Sequence, residues 1–215
     1  VISLLREAIR KDQDSLPSLE DLIAAEIKKR QEPKLRNVIN ATGIIIHTNL
    51  GRAPLPDSVA QNVYTVLKGY SNLELDLSTG KRGGRLDGVC DRICRITGAE
   101  AAIVVNNNAA ATLLAVSASS AGKSVLVSRG ELVEIGGSFR IPDVIGQGGA
   151  KMTEVGTTNR TRLSDYRYGL TEHTGALLRV HPSNFRIVGF TERPKRVDLV
   201  RLANEHGIPL IDDLG

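Results

Sequence analysis

The sequence predicts an α/β fold built on a mainly parallel sheet. Two observations carry the prediction. Four short apolar runs read as buried strands: "AAIVV" (101–105), "SVLVS" (124–128), "GALLRV" (175–180) and "IPLID" (208–212). Two of the intervening segments, "AAATLLAVSASS" and "KRVDLVRLANEH", have helical composition and spacing. Strands separated by helices imply crossover connections and a sheet covered on both faces. Ligands of such sheets gather outside the carboxyl ends of the strands. Residues 106–108, 128–131, 181–184 and 213–215 are therefore the ones to inspect.

The elements can be justified in chain order. Residues 1 to about 36 are charged and helical in pattern. Ser18 and Asp21 resemble a capping box, Leu19, Leu22, Ile23 and Ile27 share one face, and Pro33 ends the helix. The texture changes at "NVINATGIIIHTNLGRAPLP", which sets the expected domain boundary near residue 37. Cys90 and Cys94, in "CDRIC", have poor zinc spacing and no second Cys/His cluster, so they read as two reduced thiols on a helix face and no metal site is expected.

With 215 residues and 41% hydrophobic content the chain can bury a substantial core. No apolar run approaches the roughly 18–20 residues of a membrane span, and the first residues do not resemble a secretory leader, so a soluble, cytoplasmic protein is expected. The formal charge of +4 permits an anionic partner without demanding one. An aromatic content of 3% argues against reading single-stranded nucleic acid by base stacking.

In "IVVNNNAAATLL" three amides stand where a strand would meet a helix. The first N–H groups of a helix lack internal partners, and its dipole adds positive charge there, so Asn106, Asn107 and Asn108 can form a phosphate cup. A plain N-cap accounts for one amide and leaves two. Neither "AGKS" (121–124) nor "GQGG" (146–149) has nucleotide-binding spacing, and the second reads as the end of a short helix begun at Pro142. "IPLIDDLG" delivers Asp212 and Asp213 to the tip of a strand, either as solvated loop acids or as a functional carboxylate. A phosphate anchor and a later carboxylate are the two grips that pyridoxal phosphate needs, at its phosphate and at its pyridinium nitrogen.

The stretch "STGKRGGRLDG" is basic and glycine-rich, and reads either as an oxyanion-binding loop or as a mobile surface loop with solvated charges. Arg52 sits in a comparable loop. His47 and His181 fall near predicted strand ends, and no G-x-S-x-G elbow accompanies the histidines.

The phrases "INATGIIIHTNLGRAPL", "GKRGGR", "VVNNNAAA", "VSRGELVEIGGSFRIPDV", "EVGTTNRT" and "VHPSNF" closely resemble bacterial selenocysteine synthases, the L-seryl-tRNA(Sec) selenium transferases. The resemblance implies a fold-type I (aspartate-aminotransferase-like) pyridoxal 5′-phosphate-binding large domain over residues 37–215, with residues 1–36 the end of an N-terminal helical region. It implies conversion of seryl-tRNA(Sec) to selenocysteyl-tRNA(Sec) with selenophosphate, through a dehydroalanyl intermediate, in a homo-oligomer. Two other readings stay open: a related pyridoxal phosphate lyase acting on a small amino acid or amino sugar, and a non-catalytic tRNA-binding or assembly module. Carried over residue by residue, Asn106, Asn107 and Asn108 would hold the phosphate. Asp213, or less well Asp212, would hold the ring nitrogen, and Arg52 and Arg85 the selenium donor. Arg129, Glu131, His181 and Ser183 would line the cofactor. The Schiff-base lysine is expected beyond Gly215: Lys123 opens a strand, and Lys151 and Lys195 precede elements, so this chain is expected to be a fragment that does not complete the reaction alone.

Overall fold

The structure, a computed structural model, describes residues 18–135 and 139–215 together with Ile2, Ser3 and Arg6. It divides into two units, Val1–Ser71 and Asn72–Gly215.

In the first unit helix α1 (Leu19–Gln31) starts where the sequence predicts. The Ser18 hydroxyl accepts the Asp21 N–H at 3.1 Å, acids fill the first turn, and Lys28, Lys29 and Arg30 complement the dipole at the other end. A 3-10 turn (Thr48–Leu50) and helix α2 (Asp57–Leu67) follow. Among the described residues of this unit none is buried: Leu19, Ile23 and Ile27 on α1, and Val59, Val63 and Leu67 on α2, are exposed.

The core lies in the second unit. After helix α3 (Asp87–Thr97) come helix α4 (Asn108–Ser120), strand β1 (Ser124–Ser128), a short hairpin of β2 (Glu134–Ile135) and β3 (Phe139–Arg140), helix α5 (Ile141–Gln147) and strand β4 (Lys151–Val155). Helix α6 (Leu163–Gly169), strand β5 (Thr174–Arg179), helix α7 (Arg196–Glu205) and strand β6 (Leu210–Asp212) complete it. The main sheet has the order β4-β1-β5-β6, and every pairing in it is parallel.

Alternation along the strands divides the core between two faces. Val125 and Val127 of β1 and Ala176 and Leu178 of β5 pack with Val116 of α4 and Ile141 and Ile145 of α5. Leu126 and Leu177 pack on the other face with Tyr166 of α6 and Leu199, Leu202 and Ala203 of α7. Each such buried aliphatic side chain contributes about 1.5–3 kcal/mol relative to exposure. Helix α4 comes so close to β5 that a Cβ at Gly175 would lie 2.9 Å from the Ser120 Cα, and the β1–β5 register slips at this point.

Three of the four predicted strands are present. The fourth, 101–105, belongs to no strand among the described residues, and Ile103 and Val104 are exposed. An apolar run acquires strand hydrogen bonds only from a neighbour, and none pairs with it here. Conversely, β4 is absent from the predicted runs. It is an edge strand whose "KMTEV" carries charge at two positions, a pattern tolerated only because one flank is open.

Candidate active site at the carboxyl ends of the strands

The three amides divide their work. Asn107 is the N-cap of α4, and its Oδ1 accepts the Ala110 N–H at 2.9 Å. Asn108, the first helical residue, donates from Nδ2 to Asp213 Oδ1 at 2.8 Å, bridging 105 positions of sequence. Asn106 and Asn107 line a cavity of about 710 Å³ between α4 and α5, together with Ala110, Arg140, Asp143 and Gln147. The N–H groups of Asn108 and Ala109 precede the first intrahelical bond and remain available to an anion.

The two neighbouring aspartates have opposite surroundings. Asp212 is consumed by arginines: Arg179 Nη1 reaches Oδ1 at 3.0 Å and Arg196 Nε reaches Oδ2 at 2.5 Å. Asp213 is buried, yet both of its donors, Asn108 Nδ2 and the Gly215 N–H at 3.0 Å, converge on Oδ1. Among the described residues no donor reaches Oδ2. A nearly buried carboxylate with one oxygen unclaimed suits a cationic N–H such as a protonated pyridine nitrogen.

His181 and Ser183 close the other side. A Cβ at Gly215 would stand 3.0 Å from His181 Nδ1 and 3.4 Å from Ser183 Oγ, so the turn after β6 lies directly against the turn after β5. Asn108, Asp213, Gly215, His181 and Ser183 are thereby brought together from three elements.

Other expected site residues are engaged elsewhere. Arg129 pairs with Glu154 of β4 at 2.7 Å. Glu131, in a 3-10 turn (Arg129–Glu131), is buried and bonded to the Val180 N–H and to Arg193. Arg193 is not singled out by the sequence; a buried acid signals that a cation must accompany it without indicating which one. Arg85 donates from Nε (2.8 Å) and Nη2 (2.5 Å) to Glu74 Oε1, while Arg82 takes Oε2 at 2.6 Å. The basic loop is pinned as well as paired. Asp76 accepts from the Ser78 hydroxyl and N–H, bonds that hold its carboxyl below the usual aspartate range, and its own N–H donates to the Lys81 carbonyl. Arg52, in the first unit, has φ of 65°, a left-handed backbone rare for a residue with a Cβ. His47, which the sequence places near a strand end, caps the adjacent 3-10 turn through Nδ1.

A family profile described as L-seryl-tRNA selenium transferase matches residues 38–215. The chain belongs to this family. It is 56% identical over 193 residues to the L-seryl-tRNA(Sec) selenium transferase of Geobacter sulfurreducens, covering 90% of this chain and 42% of that protein. It is 50% identical over 219 residues to the transferase of Carboxydothermus hydrogenoformans, covering 100% of this chain and 47% of that one. The chain thus spans about half the length of the curated selenium transferases it matches. Among solved structures, D-glucosaminate-6-phosphate ammonia-lyase shares the fold at a TM-score of 0.66, with 22% identity over 94% of this chain and 52% of that one. The fold-type I architecture expected of a selenium transferase is the one observed. Among the described residues no helix is long and apolar enough to cross a membrane.

Proposed function

We propose that the protein containing this chain is a cytoplasmic, homo-oligomeric enzyme that converts seryl-tRNA(Sec) to selenocysteyl-tRNA(Sec), with pyridoxal 5′-phosphate as cofactor and selenophosphate as donor. Family membership supports the reaction. The observation that carries the cofactor is the Asn108–Asp213 hydrogen bond, which joins an anion-ready helix N-terminus to a carboxylate with one oxygen to spare. Bound here, pyridoxal phosphate supplies a protonated ring that takes up electron density from the serine α-carbon.

The chain's own residues then have distinct tasks. The N–H groups of Asn108 and Ala109, with the amides of Asn106 and Asn107, bind the phosphate. Asp213 Oδ2 keeps the ring nitrogen protonated, while Asn108 and the Gly215 N–H hold Oδ1 in place. His181 and Ser183 line the ring. Arg52 and Arg85 bind the doubly charged donor through guanidinium forks, Arg85 giving up Glu74 to do so. Residues 37–215 serve as the cofactor-binding domain and residues 1–36 as the end of a helical region preceding it.

The test uses the full-length protein with pyridoxal phosphate, seryl-tRNA(Sec) and selenophosphate. Selenocysteyl-tRNA should form, and Asp213→Ala should lower the rate by on the order of 10²-fold, the size of effect seen when a preorganised electrostatic partner is removed. Turnover of a free amino acid or amino sugar with none of seryl-tRNA would overturn the reading.

A further inference from the structure

Beyond β5 the sheet no longer supports the chain. The β5–β6 pairing ends at Arg179, and the next residue, Val180, is 1% exposed, so its backbone N–H and C=O must find partners inside the protein. Two charged side chains provide them. Glu131 Oε2 accepts the Val180 N–H at 2.9 Å, and Arg193 Nη2 donates to the Val180 carbonyl at 3.2 Å. The same Nη2 donates to Glu131 Oε1 at 2.5 Å, closing a ring of three contacts around one residue's backbone. Glu131 is 5% exposed; an acid is costly at such depth unless it is paired, and an apolar side chain would satisfy neither backbone group. A further contact tightens the neighbourhood, since a Cβ at Gly130 would lie 2.5 Å from the Thr158 carbonyl oxygen, fixing the turn that presents Glu131.

The residue following Val180 is His181, and the His181–Ser183 turn lies against Gly215 with no room to spare. A displacement at Val180 therefore passes directly to the two side chains against Gly215, whose N–H holds Asp213 Oδ1. We propose that Glu131 and Arg193 are positioning residues: they hold the end of β5 so that His181 and Ser183 stand correctly against Asp213 and Gly215, without themselves touching the cofactor. The proposal rests on the pyridoxal phosphate reading for its functional consequence, and on the ring around Val180 for its physical content.

The experiment uses full-length protein carrying Glu131→Gln, Arg193→Lys, His181→Ala, and Glu131→Gln combined with His181→Ala. In Glu131→Gln the neutral amide cannot serve the Val180 N–H and the Arg193 guanidinium equally. In Arg193→Lys the side chain is one bond shorter, so its ammonium falls short of the position from which Nη2 reaches both Glu131 and the Val180 carbonyl. Amide hydrogen exchange across residues 180–184 should quicken about tenfold in Glu131→Gln and in Arg193→Lys, as expected when a charge-assisted bond is lost. Pyridoxal phosphate, titrated by fluorescence, should bind several-fold more weakly to Glu131→Gln, and adding that change to His181→Ala should cost clearly less than it does in the wild-type background, because only the Ser183 route then remains. Unchanged exchange at 180–184 in both single variants would overturn the proposal, as would losses of affinity that simply add. Wild-type protein that fails to bind pyridoxal phosphate would instead overturn the cofactor reading, and the exchange measurement would still decide whether the ring holds the turn.

Discussion

Asp212 and Asp213 show how much a single position decides. Successive residues at a strand end point to opposite sides, so one carboxylate meets Arg179 and Arg196 while the other meets Asn108. Asp212→Asn should destabilise the protein by about 1–3 kcal/mol, since it weakens two charge-assisted bonds, and leave cofactor affinity nearly unchanged. Asp213→Asn should do the reverse. Thermal unfolding and a cofactor titration on both variants check the contrast. The sequence announces two acids at a strand tip, but the assignment to Asp213 comes from family resemblance; the arginines that occupy Asp212 come from β5 and α7, and no local pattern reveals them. The three amides are similarly legible as a helix start, whereas the turn of Asn108 toward Asp213 depends on a partner 105 residues away.

At the scale of elements, the loop between α2 and α3 differs most from its sequence reading. Its glycines and basic residues suggest either a waiting anion site or a mobile surface loop, yet Glu74 and Asp76 organise it internally, with both guanidiniums drawn to one carboxylate. If Arg85 binds the donor, Glu74 competes with it. Glu74→Gln should then tighten inorganic phosphate binding to the full-length protein by up to about fivefold, the equivalent of the roughly 1 kcal/mol an exposed ion pair contributes. Isothermal titration at constant ionic strength reads this directly; weaker binding would show that Glu74 orients Arg85 instead of restraining it. Strands β1 and β5 are legible because burial on both faces selects continuous apolar runs, and β6, half-buried at the sheet edge, by the apolar pair Leu210 and Ile211. The run 101–105 has the same composition and pairs with no strand among the described residues, so composition alone does not distinguish it from a paired strand.

Over the whole chain, the buried core belongs to residues 72–215, whereas helices α1 and α2 bury nothing within their own unit. Helices of 13 and 11 residues are marginal in water without packing. A peptide of residues 18–71 should therefore show low helicity and no cooperative thermal transition by circular dichroism; a sharp transition would indicate a stability source other than core burial.

The bond from Asn108 to Asp213 also sets an order of events during synthesis. A ribosome makes the helix start long before the acid it must meet, and the strands between are joined by crossovers that close slowly. Until Asp213, 105 positions after Asn108, has left the exit tunnel, the nascent chain has nothing with which to complete the pocket. In the proposed reading, coenzyme capture must therefore await the emergence of Asp213.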